Sequence, residues 1–261
     1  MKLSELIPIV QDEKRSEEYL YSLNILKTFR NCPRCNSVSI GIIRGKQWIC
    51  HDCNYEWTKR KDSILSLTRI KYSEFLLIVK LFELELNAEL TSKQLKINYK
   101  TVILLYNLFR SCLNDLLLSK IAHHSKIMKG TVGKISIRLI NRKISISFNQ
   151  DDEERNDSLI LITRSRIQKS SAYYNFESYN PNKKLSKNLT NKKFSQLGIF
   201  WRFAKPRLMN FKGTNVNTLI LYLKELEFRY NNSNVNLFEI LLSKIQQNFK
   251  GGEIMPTYSK K

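Results

Sequence analysis

Two cysteine pairs, Cys32-x-x-Cys35 and Cys50-x-x-Cys53, are the residues of this chain best suited to chemistry. A C-x-x-C knuckle turns two thiolates toward one point, and two knuckles offer the four soft sulfur ligands of a closed, tetrahedral Zn²⁺ site. Fourteen residues separate the knuckles, enough for a short hairpin that brings them together. Ile40 to Arg44 and Lys46 to Cys50 are short apolar or aromatic runs flanking Gly45, and Trp48 and Trp57 are placed to cover an ion. The spacing predicts one structural Zn²⁺ per chain. Four free thiols are the alternative, and disulfides fit poorly because the chain lacks the cysteine-dense build of a small secreted scaffold. The fifth cysteine, Cys112, stands among Phe109, Leu113 and Leu116 at helical spacing and reads as a buried filler.

The charge balance points to a polyanion. Forty-four Lys and Arg against 23 Asp and Glu leave the chain at +21, and neutralising phosphates releases their counterions, so double-stranded DNA is the expected partner ahead of an acidic membrane surface. The longest apolar stretch, Phe75 to Val79, is too short to span a bilayer. A soluble intracellular protein is expected, nuclear in a eukaryote and in the cytoplasm or nucleoid of a bacterium. Basic residues gather in three places: Lys59, Arg60 and Lys61 after the second knuckle; Lys96, Lys100 and Arg110; and residues 180–214, with Lys183, Lys184, Lys187, Lys192, Lys193, Arg202, Lys205, Arg207 and Lys212 and no acid. Phe200, Trp201, Phe203 and Phe211 interleave with that last group. It is the strongest candidate phosphate-facing surface, and it is equally compatible with a helix whose aromatic side is core and whose basic side is merely solvated.

Periodicity supplies the elements around these residues. Residues 1–31 read as a helical arm and 32–62 as the zinc ribbon. In 63–125, Phe75, Ile78, Val79, Phe82 and Leu86 recur at three and four, the mark of an amphipathic helix. A second helix is predicted from Thr91 with Ser92 as cap, then a break at Ile97 and Asn98, then a third helix from Lys100 through Phe109. That is a helix-turn-helix pattern; a trihelical packing unit without a ligand has the same periodicity. Ile135 to Ile140 and Lys143 to Phe148 alternate across Asn141 and Arg142 as a hairpin. Ser158 to Thr163 is either a buried strand or the start of a helix continuing to Gln168. Helices are predicted over Asn217 to Tyr230 and Leu237 to Phe249, with a loose tail over 251–261.

Two strings, FWRFAKPRLMNFKGT at Phe200 to Thr214 and YLKELEFRYN at Tyr222 to Asn231, resemble the C-terminal end of the zinc-ribbon DDE transposases of the ISXO-type insertion sequences and their Merlin relatives. The order of parts agrees over nearly the whole chain. The resemblance implies an α+β chain in which the ribbon and the helix-turn-helix precede a shortened RNase H-like (α/β) core over 126–250, with C-terminal helices. In that family two Asp and one Glu hold two divalent ions about 4 Å apart, one activating the attacking oxygen and the other stabilising the leaving one. Here Val132-Gly133-Lys134-Ile135-Ser136 puts Ile135 at the first Asp. Tyr173 to Tyr179 puts Asn175 at the second, and Leu197-Gly198-Ile199-Phe200-Trp201 puts Gly198 at the Glu.

Neither Ile nor Gly supplies a side-chain oxygen, and an Asn amide is a neutral and weaker ligand, so the charge that would hold two Mg²⁺ is gone. The resemblance therefore implies a catalytically inactive transposase derivative kept for binding DNA, as a DNA-binding or scaffold subunit of a chromatin, transcription or recombination complex. Two alternatives stand beside it. One is a protein-interaction subunit with little direct DNA contact. The other is a nuclease with a relocated metal site among Asp151, Asp152, Glu153, Glu154 and Asp157.

Overall fold

The computed structural model describes residues 1–44, 47–113, 132–141, 143–147, 158–168, 171–179, 192–209 and 216–249. They form an α+β chain of two compact units, Met1–Cys112 with Asn236–Lys261, and Leu113–Val235. No helix among the described residues is long and apolar enough to cross a membrane.

The first unit opens with α1 (Leu3–Val10) and α2 (Glu13–Ser22). A three-stranded antiparallel sheet follows, β1 (Ile40–Ile43), β2 (Gln47–Cys50) and β3 (Glu56–Thr58), in that order. Trp48 is opposite both Ile42 and Trp57, so one face of the sheet carries the aromatic side chains, as alternation along a strand requires. Three helices come next, α3 (Tyr72–Glu83), α4 (Ala88–Leu95) and α5 (Tyr99–Leu113). Phe75, Ile78, Val79 and Phe82 bury one stripe of α3. They meet α5 edge-on: Phe75 to Phe109 at 6.0 Å, Phe82 to Phe109 at 5.4 Å and Phe82 to Tyr106 at 4.9 Å between ring centroids. The Glu13 carboxylate reaches the start of α3, accepting from the Tyr72 N–H at 2.6 Å and the Ser73 hydroxyl at 2.7 Å, where a negative charge complements the helix dipole.

Two boundaries differ from the sequence reading. Asn87, not Ser92, caps α4: its Oδ1 accepts from the Leu90 N–H at 2.8 Å, while the Ser92 hydroxyl donates forward to the Ile97 carbonyl at 2.6 Å. Asn is a strong helix cap, and the helix starts three residues earlier as a result. Thr91 is buried within it, 2.8 Å from the Tyr106 hydroxyl. The last helix, α8 (Leu237–Asn248), was expected inside the 126–250 core but belongs to the first unit and packs on α3. Phe238 sits beneath the Lys80 ammonium, 5.7 Å from the ring centroid. Lys80 in turn donates to the Met1 carbonyl at 2.8 Å and pairs with Glu83.

The second unit holds a four-stranded sheet of β4 (Val132–Ile140), β5 (Lys143–Ser147), β6 (Ser158–Gln168) and β7 (Ser171–Tyr179), in the order β5-β4-β6-β7. Residues 158–168 resolve as a strand. Every pairing among these strands is antiparallel, which fits the α+β class expected for the chain. Helices α6 (Lys192–Met209) and α7 (Val216–Asn231) complete the unit. Phe200, Ala204 and Leu208 of α6 recur every four residues and meet Leu219, Ile220, Leu223 and Leu226 of α7 over Ile137, Ile144 and Ile146 of the sheet. The aromatic side of α6 is therefore core. Helix α7 also ties down the sheet edge. Asn231 accepts from the Ile144 N–H at 2.8 Å and donates to the Ile144 carbonyl at 2.7 Å, and Glu227 accepts from the Ile146 N–H at 3.1 Å.

Candidate metal centre

The two knuckles are built alike. In each, the residue after the second cysteine is an asparagine in the left-handed region, Asn36 at φ 60° and Asn54 at φ 53°, a conformation Asn tolerates better than most side chains. In each, the first cysteine's N–H donates to the carbonyl five residues on, Cys32 to Ser37 at 2.8 Å and Cys50 to Tyr55 at 2.9 Å. A hydrogen bond from the Ser37 hydroxyl to the Asp52 carboxylate joins one knuckle to the other. The signal in the sequence is a repeated C-x-x-C-N, in which the asparagine repeats along with the cysteines.

These turns bring Cys32, Cys35, Cys50 and Cys53 together, with all four sulfurs within 4.8 Å of one another. Cys32 and Cys53 are 3.6 Å apart and Cys35 and Cys50 3.5 Å, each pair drawn from both knuckles. A disulfide would require about 2.05 Å. Four sulfurs about 2.3 Å from a central ion stand about 3.8 Å from each other, close to the spacing here. The donor set is thus dimensioned for one tetrahedral ion, and all four positions are filled by protein, as in structural rather than catalytic sites. Cys32 and Cys50 are buried, Cys53 is half-buried and Cys35 is exposed.

Burial works against ionising Cys32, yet the backbone N–H groups of Cys35 and Arg34, with help from the Cys35 and Cys53 thiols, lower it to about 6; the Arg34 N–H lies 3.4 Å from its sulfur. The Ser37 N–H acts to lower Cys35, but the Cys53 thiol, burial and the Cys50 and Cys32 thiols outweigh it and push Cys35 up to about 12. Burial also raises Cys53, against the Tyr55 N–H. One thiolate, that of Cys32, forms readily, while Cys35 and Cys53 resist ionising beside it. Trp57, Phe29, Ile40, Trp48 and Tyr55 wall the sulfurs.

The predicted basic residues separate into two groups. Lys59 pairs with Glu17 at 2.9 Å, and Lys61 with Asp62 at 3.0 Å. Arg60 donates to the Thr68 carbonyl at 3.1 Å and lies 4.8 Å above the Tyr72 ring. Arg110 bonds to Asn107 at 3.1 Å and covers the Phe82 and Tyr106 rings, and Arg207 lies 3.9 Å over Phe203 and donates to its carbonyl. These five side chains serve the fold. Lys96, at φ 54° in the turn between α4 and α5, Lys100 in the first turn of α5, and Arg202 and Lys205 on α6 are exposed. Lys192 and Lys193 open α6. Lys183, Lys184, Lys187 and Lys212 lie outside the described residues, as do Asp151, Asp152, Glu153, Glu154 and Asp157.

Of the three positions aligned with the family's carboxylates, the two on the sheet do not converge. Ile135 on β4 pairs with Leu161, whereas Asn175 on β7 pairs with Arg164. Two strand spacings and three residues along β6 put their backbones roughly 14 Å apart, against about 4 Å between the ions of a two-metal site. Gly198 is exposed on α6, and a Cβ there would meet nothing within 4 Å. The sequence matches no protein-family model, and neither a curated protein nor a solved structure is significantly similar to it.

Proposed function

We propose that this chain is a DNA-binding protein held together in part by a structural zinc ion, and that it descends from a zinc-ribbon transposase whose two-metal centre has been lost. The observation that carries the reading is the four-sulfur cage on a small antiparallel sheet, in a chain of +21. In this reading the sheet with its two knuckles is a zinc ribbon. Cys32, Cys35, Cys50 and Cys53 would hold Zn²⁺, whose chemical contribution is to offset half of the charge of four thiolates and fix the knuckles. Helices α4 and α5, joined by the three residues Lys96 to Asn98, serve as the helix-turn-helix. The start of α5 and the exposed lysines beside it would meet the duplex.

The ancestry rests on the order of parts and on the two C-terminal strings. The inactive state rests on Ile135 and Gly198, which offer no ligand oxygen, and the separation of Ile135 from Asn175 adds to it. An RNase H-like ancestry for the second unit must accommodate a wholly antiparallel set of described strands. Fluorescence anisotropy of a labelled duplex titrated with the zinc-loaded full chain at about 50 mM salt tests the reading, because phosphate contacts are strongest there. Binding in the micromolar range or tighter supports it. No binding at that salt refutes it and favours a protein-interaction subunit.

A further inference from the structure

Among the described residues, the indole N–H of Trp57 is buried and has no hydrogen-bond partner. Trp57 is 4% exposed and packs with Cys32, Cys50 and Cys53. The indole nitrogen can only donate, and a buried donor is seldom left unanswered without a reason. The rings around it narrow the choice. Tyr55 and Trp48 lie nearly parallel to the indole, at 18° and 11° with centroids 5.8 and 6.3 Å away, and Phe29 stands edge-wise at 71° and 5.7 Å. Ring neighbours at those angles supply π-faces and C–H edges. The side-chain acceptors in this shell are the Tyr55 hydroxyl, which Lys61 engages, and the cysteine sulfurs. A thiol sulfur accepts weakly, but a thiolate accepts as a charged group.

We propose that Trp57 is a positioning residue of the metal centre, its indole N–H kept for a cysteine thiolate of the loaded site. Four thiolates around a divalent cation carry two net negative charges in a largely buried setting, and a donor aimed at that charge stabilises the loaded site over the empty one. Partners of this kind around a metal commonly change its affinity ten- to a hundredfold. The inference rests on the metal-binding reading above and adds to it which side chain outside the four ligands sets the affinity.

The test uses the full chain loaded with ¹¹³Cd²⁺ and labelled with ¹⁵N at tryptophan. A scalar coupling between ¹¹³Cd and the Trp57 indole proton, absent at Trp48 and Trp201, is the expected result. In parallel, zinc affinity is measured by competition with a chromophoric chelator for Trp57→Phe and for a chain with 3-benzothienylalanine at 57, which keeps a bicyclic ring and has no N–H. Both should bind zinc at least tenfold more weakly, and with Co²⁺ their sulfur-to-metal charge-transfer band should move to longer wavelength as the sulfur loses its hydrogen bond. Wild-type affinity in the benzothienyl chain together with no coupling at Trp57 overturns the proposal while leaving the metal site intact. Failure of the unaltered chain to take up any of these ions overturns both.

Discussion

Replacing Asn231 by Ala removes a side chain that both donates to and accepts from the main chain of Ile144. Strand β5 lies at the edge of its sheet, so among the described residues its outward N–H and C=O groups meet no further strand and depend on α7. Ile144 is 2% exposed, so water is poorly placed to take over. Two hydrogen bonds contribute about 1 kcal/mol each, and a buried group left without a partner costs about 1–3 kcal/mol, which puts the loss at roughly 2–4 kcal/mol. Against a domain stability of about 5–15 kcal/mol, a loss of that size shifts a urea midpoint visibly. Asn232→Ala is the control, because the Asn232 side chain donates to the Phe228 carbonyl, one turn back, at 2.8 Å, and its loss should cost under about 0.5 kcal/mol. Amide exchange at Ile144 and Ile146 localises the effect: protection of Ile144 should fall in Asn231→Ala, while that of Ile146, held by Glu227, should fall less. A loss below about 0.5 kcal/mol for Asn231→Ala, or equal losses for the two variants, would refute the idea that α7 serves as the missing neighbour of β5.

Other outcomes follow from the same geometry. Cys50→Ser should release the bound zinc and unfold the sheet of the knuckles, read by metal analysis and near-ultraviolet circular dichroism; retention of stoichiometric zinc would contradict a four-sulfur site. Cys35 and Cys53 both titrate above their ordinary value and hold protons at neutral pH, so zinc binding there must displace both. Calorimetry in two buffers of different ionisation enthalpy should count two or more protons released, and affinity should fall as pH falls, most steeply once Cys32 also protonates below about 6; release of fewer than two would contradict it. Installing Asp at 135 and 175 and Glu at 198 together should create no two-metal Mg²⁺ or Mn²⁺ site, because positions 135 and 175 stand roughly 14 Å apart along the sheet. A divalent-ion-dependent rise in melting temperature in that triple variant would show that they converge.

How much of this was legible in the sequence depends on how local the cause was. The cysteine cage was legible because knuckle spacing alone fixes it, and so was the β4–β5 hairpin across Asn141, which the strands' alternation announces. Strand β3 was not, because Glu56-Trp57-Thr58 is too short to display a period. Residues 158–168 could not be told from a helix, since an apolar run carries no period of its own. The start of α4 was misplaced because Asn87 and Ser92 are both acceptable caps, and only the packing of Thr91 against Tyr106 selects the earlier one. The surroundings of the basic residues were not legible either, because the partner of Lys59, Glu17, lies 42 residues away, and the rings that Arg110 covers belong partly to another helix. Placement of α8 with the first unit is likewise non-local, carried by contacts of Phe238 with Lys80 and Glu83 that no window of sequence contains.

The salt dependence of duplex binding reports phosphate contact itself. Each phosphate neutralised contributes about −0.9 to the slope of log K against log salt. Anisotropy titrations between about 50 and 200 mM salt should therefore give a steep negative slope for the zinc-loaded chain. Replacing exposed Lys96 and Lys100 by Ala should flatten it by up to about 1.8 if each contacts a phosphate. Neutralising Lys59, Arg60 and Lys61, whose side chains are engaged within the fold, should leave it nearly unchanged. Affinity that does not vary with salt, or a slope that follows Lys59 to Lys61 and ignores Lys96 and Lys100, would contradict this account of how the chain meets DNA.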